Sequence, residues 1–436
     1  MPDPNVSARM RDDWNARARE DAGYYVAFGR RDQDDAEFFA TATQVVNNLE
    51  KELKRVPAKQ RTQWKALEIG CGPGRLIRPM SRHFAEIHGI DVSDEMIERA
   101  KQNLRETSNA HVHVGDGSRL TQFEDSSIDF IYSYAVFQHI PSRDVVLEYL
   151  NEVQRVLKPG GIARLQLNGL PLIGDDQYTT WSGARFSSAE ILEFTQSRNL
   201  QVLALEGAGT QYMWTTWVKR PADWAARMAG QTFDQLPSRI RRITNATSSE
   251  PVAPSRGRFA SISVWVENLP EDAGLHHLRV TIGEYIGTII YIGPPDNVGL
   301  QQLTVILPDL EATGLLPVEL RWLDTPIAPP TTLRVIPPGP SVPHLRSVTD
   351  GVNLVLPNCI ETRTVKMTLE EISRPHELDA TIDGKPVLNL EYFCIEPRPQ
   401  VFEVNFTLPE DLGAGYYPLD VRMGRRKIAT VTVQVV

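Results

Sequence analysis

The chain has 436 residues, 41 % of them apolar and 23 % charged, which excludes disorder as its main character and suggests about three domains at roughly 150 residues each. A formal net charge of -9 argues against a protein that coats nucleic acid, and no run of eighteen apolar residues marks a membrane span. The start, Met1-Pro-Asp-Pro-Asn, lacks a basic-then-apolar leader, and three cysteines are too few for a disulfide framework, so a cytoplasmic, reducing setting is expected.

Taken in chain order, residues 1–35 read as a helical, aromatic-bearing segment. Helices are then expected at 36–55, 94–105, 143–157 and 188–198. Between them lie strand-like runs at 65–69, 86–90, 111–114, 128–133 and 162–167, with two more at 201–207 and 211–218. Strands alternating with helices predict an α/β fold with a doubly wound, mostly parallel sheet over residues 1–235. Residues 236–258, with an Arg cluster followed by Thr, Asn, Ser and Pro, read as a linker. Beyond it the pattern turns all-β, with alternating runs at 262–266, 278–282, 303–307 and 318–322. The layout then repeats. Residues 307–322 and 408–423 share Leu307/Leu408, Pro308/Pro409, Gly314/Gly415, Pro317/Pro418 and Arg321/Arg422. A repeat of about 100 residues made of short strands predicts two immunoglobulin-like β-sandwiches at 259–338 and 344–436, expected to fold as independent modules.

The chemical signal sits in the first half. A strand ends at Glu68-Ile69, and Gly70, Gly72 and Gly74 follow at every second position, where a missing Cβ lets the backbone turn and approach a ligand. The next helix is expected near Arg75, with its amide end at the same place. Asp91 ends a second strand and can accept from both hydroxyls of a ribose. Gly115-Asp116-Gly117 ends a third, where Asp116 can take an amino proton from a base. The fourth strand leads to Tyr134 and His139, and Leu157-Lys-Pro-Gly-Gly161 precedes the fifth.

With E-x-G-x-G-x-G at 68–74, the acid at 91, G-D-G at 115–117 and L-K-P-G-G at 157–161, the sequence resembles the class I S-adenosylmethionine-dependent methyltransferases over about residues 40–220. The resemblance implies S-adenosylmethionine as cofactor. It assigns Glu68, Gly70, Gly72, Gly74, Asp91, Val92, Met96, Asp116, Gly117 and Tyr134 to the cofactor, with Tyr134 facing the reactive methyl. His139 is the expected general base if an oxygen accepts the methyl group, its ordinary pKa lying near 6.5.

The acceptor, a small polar molecule such as a sugar or secondary metabolite, is expected to meet aromatics outside the shared motifs. These are Trp14, Tyr24, Tyr25 and Phe28 in the N-terminal lid, and Trp181, Arg185 and Trp214 in the segments that begin at Gln177 and Gln211. N-methylation, a protein acceptor, or a non-catalytic scaffold that binds the cofactor are the alternatives. The sandwiches would serve a homodimer or another protein partner. His111 and His113 have no further ligands nearby in sequence, so no metal is expected. Cys359 and Cys394 are expected as reduced core residues.

Overall fold

The computed structural model describes residues 4–27, 31, 33–172, 178–233, 235–352, 354, 356–396 and 400–436. Phe28 and Gln177 lie outside the described residues. The chain divides into two compact units, Met1–Ala22 with Ala42–Pro337, and Gly23–Thr41 with Pro338–Val436.

The first unit is built on β1 (Lys65–Ile69), β2 (Glu86–Asp91), β3 (Ala110–Val114), β4 (Ile128–Ser133), β5 (Leu157–Leu167), β6 (Leu200–Glu206) and β7 (Met213–Lys219). They stand in the order β3-β2-β1-β4-β5-β7-β6. The first five run parallel, and β7 is antiparallel to both β5 and β6. Central strands of such a sheet are covered on both faces, and every residue of β4 is buried. Helix α1 (Pro4–Ala27) is interrupted at Asp21, where φ is −166° and ψ 91°. The helix expected at 36–55 breaks at Thr41 and Ala42 into α2 (Asp35–Ala40) and α3 (Thr43–Leu53). Next come α4 (Ala58–Arg61), α5 (Ile77–Met80), α6 (Asp94–Asn103), α7 (Arg143–Val156), α8 (Ser188–Gln196) and α9 (Trp224–Ala229). Helix α7 shows why these segments fold as they do. Ser142 caps its first turn, and Val145, Val146, Tyr149, Leu150 and Val153 form the buried stripe at three- and four-residue spacing. The helix after the glycine turn is shorter than expected, a single turn at Ile77–Met80.

The linker expected at 236–258 is part of the first sandwich. Strands β8 (Arg239–Asn245) and β9 (Val252–Pro254) precede β10 (Ser261–Glu267), β11 (Leu278–Ile282), β12 (Tyr285–Ile292), β13 (Leu300–Ile306), β14 (Gly314–Trp322), β15 (Thr325–Pro326) and β16 (Thr331–Ile336). One sheet runs β8-β10-β13-β12 and the other β9-β16-β14-β11, with β9 parallel to β16. Arg241 and Arg242 are strand residues, and their charges hid the alternation from composition. Arg241 pairs with Glu267, and Arg242 lies over the Trp265 ring.

Nor is this sandwich a separate module. Edge strand β6 meets β12 at Ala204 and Tyr291, and Leu275 N–H donates to the Val202 carbonyl at 2.9 Å. Gln201 Nε2 donates to the Ala273 carbonyl at 2.7 Å, and the Trp322 indole N–H donates to Met228 at 3.3 Å. Trp224 is fully buried; its indole N–H reaches Asp272 at 3.2 Å and its ring meets His277 edge-on. His277 stacks on Trp322 at 5.0 Å, and His276 Nε2 lies 3.1 Å from Thr195 Oγ1. The adjacent histidines are thus interface residues. One hydrophobic core runs from the parallel sheet into the sandwich.

The second unit repeats the sandwich with β17 (His344–Asp350), β18 (Cys359–Ile360), β19 (Thr364–Glu370), β20 (Leu378–Ile382), β21 (Lys385–Pro386), β22 (Leu388–Glu396), β23 (Val401–Thr407), β24 (Gly415–Met423) and β25 (Arg426–Val435). The sequence repeat is also a repeat of pairing. Leu278 lies opposite Trp322 in β11–β14, and Leu378 opposite Met423 in β20–β24. The parallel pair β9–β16 returns as β18–β25. By the same correspondence the first copy starts at β8, not at residue 259. Cys394 is exposed on edge strand β22 and Cys359 half-buried, so neither is the core residue expected. Among the described residues no helix is long and apolar enough to cross a membrane.

Candidate active site

The carboxyl ends of β1, β2 and β3 meet at one place, and the glycines explain why. Gly70 sits at φ +70°, and a Cβ there would lie 2.2 Å from Val136 Cγ2. Gly72 and Gly74 also have positive φ, a region L side chains rarely adopt. Asp91 ties this turn to its neighbour. Its Oδ2 accepts from Gly72 N–H at 2.9 Å, and its Oδ1 accepts from Ser93 N–H at 2.9 Å. Burial pushes its pKa up, and these amides oppose the rise. Ser93 then caps α6 through Met96 N–H, leaving the Met96 side chain 1 % exposed. Asp116 is exposed, and its Oδ1 accepts from the N–H groups of Ser118 and Arg119 at 2.8 and 2.7 Å. Gly117, at φ +88°, faces Val92 Cγ2 and Met10 Cε, each just over 3 Å from where a Cβ would stand.

Glu68 differs from its expected role. It is 3 % exposed, accepts from the Tyr132 hydroxyl at 3.0 Å, and has its pKa raised to about 8 by burial. Its carboxyl supports the turn from beneath and does not line the surface.

The first part of α1 lies over these strand ends. Arg11 donates to the carbonyls of Val92 at 3.2 Å and Gly115 at 3.1 Å. Asn15 Oδ1 accepts from Ser93 Oγ at 2.6 Å. Arg17 stacks on Trp14 and Trp181 at 4.7 and 5.4 Å, and its Nη2 reaches Thr180 Oγ1 at 3.1 Å. The N-terminal helix thus packs on the strand ends through Arg11, Asn15 and Arg17. Arg11, Asn15 and Arg17 were not among the predicted site residues, although Arg11 and Asn15 stand four apart, on one helix face.

His139 closes the other side. It is 4 % exposed, with its ring 5.4 Å from Trp14 and 5.7 Å from Trp181. Burial, aided by the Arg17 charge, lowers its pKa to about 4, so the ring is neutral at pH 7. Trp181 is 48 % exposed. Gly183 allows its segment to press against the loop after β4: its N–H donates to the Gln138 carbonyl at 2.7 Å, and a Cβ would lie 2.6 Å from that carbonyl.

Tyr134 joins the glycine turn to β7. Arg75 lies 5.8 Å above its ring, and the ring stacks on Trp214 at 5.6 Å and on Tyr212 at 6.4 Å. Behind them Gln166, fully buried, accepts from Ala135 N–H at 2.8 Å and donates to Gln138 Oε1 at 2.9 Å. A glutamine inside an otherwise buried strand was the signal for this support. Two groups of predicted residues have partners of their own. Arg185 donates to the Pro171 carbonyl at 2.8 Å. Tyr24 and Tyr25 belong to the second unit, where their rings meet edge-on and Arg31 lies over Tyr24. His88 and His113 share a hydrogen bond of 3.1 Å.

The titrations give a signed expectation. Burial lowers the pKa of His88, His139 and His277 to about 4 each. Unfolded, they titrate near 6.5, so their contribution is whole above pH 6.5 and disappears as pH falls toward 4. Glu68 acts oppositely, its contribution fading as pH rises from 4.5 to about 8. The melting temperature should therefore peak near pH 6.5 and fall more steeply on the acid side. A melting temperature unchanged between pH 6.5 and 5 contradicts these assignments.

Residues 67–165 match a family described as "Methyltransferase domain". Phosphoethanolamine N-methyltransferase 2 of Caenorhabditis elegans is 33 % identical over 105 residues, 24 % of this chain and 23 % of that protein. Demethylmenaquinone methyltransferase of Staphylococcus haemolyticus is 34 % identical over 101 residues, 22 % of this chain and 41 % of that protein. The chain thus spans less than half the length of these relatives. Among solved structures, a complex of the Haloferax volcanii Trm112 methyltransferase activator with a methyltransferase aligns at 20 % identity and a TM-score of 0.38, over 48 % of this chain and 97 % of that one. The matched segment begins in β1 and ends in β5, and it contains the glycine turn, Asp91 and Asp116 at adjoining strand ends. The chain carries a class I S-adenosylmethionine-dependent methyltransferase domain.

Proposed function

We propose that the protein transfers a methyl group from S-adenosylmethionine to an oxygen of a small polar acceptor. Bound in the domain, the cofactor supplies a methyl group already activated on a sulfonium. The protein's task is then placement and proton removal. The cradle fits such a group: three positive-φ glycines shape a tight backbone turn, and Asp91 and Asp116 present carboxylates at adjoining strand ends. Val92, Met96 and Gly117 would flank the adenine, and Tyr134 would stand by the methyl.

The observation that carries the oxygen-acceptor reading is His139. It is a neutral, nearly buried imidazole between Trp14 and Trp181, beside a lid arginine. An acceptor hydroxyl would give its proton to the ring as the C–O bond forms and the C–S bond breaks, leaving the methylated product and S-adenosylhomocysteine. Arg17 would stabilise negative charge developing on that oxygen. The two curated relatives named above differ in the acceptor that their names state, so the matched segment does not select one. Because the first sandwich packs on the methyltransferase domain, we assign the partner expected of the β modules to the second.

His139→Gln should leave cofactor affinity within twofold and lower kcat by roughly 10²- to 10⁴-fold. This is checked with labelled cofactor against a panel of phenols, sugars and amines. An unchanged kcat removes His139 as the base. Transfer to amines alone replaces the oxygen reading by N-methylation, and cofactor binding without turnover on any acceptor favours the scaffold.

A further inference from the structure

A cavity of about 800 Å³ lies between the methyltransferase fold and the first sandwich, away from the glycine turn. Its size suits a small-molecule site. One wall comes from α3, α4 and the turn between them and carries Lys51, Lys54 and Arg61; Arg164 of β5 also lines it. Arg164 is 2 % exposed, and its Nε, like that of Arg61, is buried without a hydrogen-bond partner among the described residues. Arg164 is held by Thr216, Asn48 and Glu206 and lies over the Trp214 ring at 4.8 Å, so what it offers the cavity is a fixed charge behind the lysines.

The acids in the lining are already engaged. Glu52 pairs with Arg55 at 2.6 Å and Glu206 with Arg164 at 2.8 Å, while Asp296 accepts from the N–H groups of Val298 and Leu300. With Glu52 paired to Arg55 and Glu206 to Arg164, Lys51, Lys54 and Arg61 face the single remaining carboxylate of Asp296, an excess of positive charge in the lining. The lining also holds the rings of Trp265 and Tyr291. Each ring is steadied by an arginine outside the lining, Arg242 at 4.4 Å and Arg55 at 5.6 Å. Cations and two aromatic rings in one lining match a ligand with an anionic group on a ring whose C–H face can stack.

We propose that this interdomain cavity binds an anionic carbohydrate, phosphorylated or uronic, at a site separate from the methyl-transfer centre. The proposal does not depend on the reaction assigned above, and its test reads binding.

The full-length protein would be titrated with glucose 6-phosphate, digalacturonate, maltose and inorganic phosphate, following heat and the tryptophan fluorescence change that is lost in Trp265→Ala. One or both anionic sugars should bind, with maltose and phosphate at least tenfold weaker. Binding of only one anionic sugar identifies the source of the negative charge. Lys51→Ala/Arg61→Ala and Trp265→Ala should each weaken that binding at least tenfold, while S-adenosylmethionine affinity stays within twofold. Thermal melting identifies any variant that fails to fold, and Lys51→Ala alone, at an exposed position, should still weaken binding severalfold. No binding of either anionic sugar overturns the proposal. So does inorganic phosphate binding as tightly as glucose 6-phosphate, or variants that bind as the wild type does.

Discussion

A chain ended near residue 235 is expected to be insoluble or unfolded, whereas one ended at Pro337 should fold and bind S-adenosylmethionine. The shorter chain keeps every residue of the cofactor cradle. It loses the partners of Trp224, which is fully buried only because Asp272, His276 and His277 close over it. It also strips the cover from Val202 and Gln201, whose backbone and side chain bond to the loop at 271–275. Losses on the scale of a large core truncation, about 3–5 kcal/mol each, soon exceed a typical domain stability of about 5–15 kcal/mol. The check is soluble yield and a denaturant titration of the two fragments. A folded 1–235 fragment with wild-type cofactor affinity would show that the shared core is dispensable.

Asp91→Ala should weaken S-adenosylmethionine binding by about 1.5–3 kcal/mol, the scale of hydrogen bonds to a charged group. Calorimetry would register a loss on the order of 10- to 160-fold at 1.36 kcal/mol per decade. Two contributions are expected, and melting separates them. Both carboxylate oxygens already hold amides, from Gly72 and Ser93, so part of the loss reflects a loosened glycine turn and lowers the melting temperature. Weakened binding at an unchanged melting temperature would place the whole effect in contact with the ribose. Unchanged affinity would defeat the assignment of Asp91 to the cofactor.

What could be read in advance followed from local chemistry. The glycine turn and the acid at 91 announce themselves because backbone conformation and ribose recognition demand those residue types at those places. The strands at 65–69, 128–133 and 278–282 match the structure residue for residue because alternation and bounding turns agree there. The failures come from long-range contacts. Nothing near Arg239–Asn245 says that its arginines face outward from a sheet strand until β10 lies beside it. Tyr24 and Tyr25 follow Trp14 and Arg17 within a few residues, yet α1 is interrupted at Asp21 and the tyrosines belong to the other unit. His276 and His277 offered no metal-ligand spacing, and their role appears only opposite Trp224 and Trp322. Gln166 needed the loop at 134–138 to give it meaning.

Joining β6 to β12 has a consequence for behaviour at high concentration. A sheet edge with free N–H and C=O groups invites pairing with any other chain, and natural proteins protect such edges. Here the last strand of the parallel-sheet layer is met from within the same molecule, at Ala204 and Tyr291, with the backbone bond from Leu275 to Val202 alongside. The first sandwich thus works as a built-in stopper against self-templated growth. Until translation has passed residue 292, the nascent chain carries an open edge that a chaperone would have to shield.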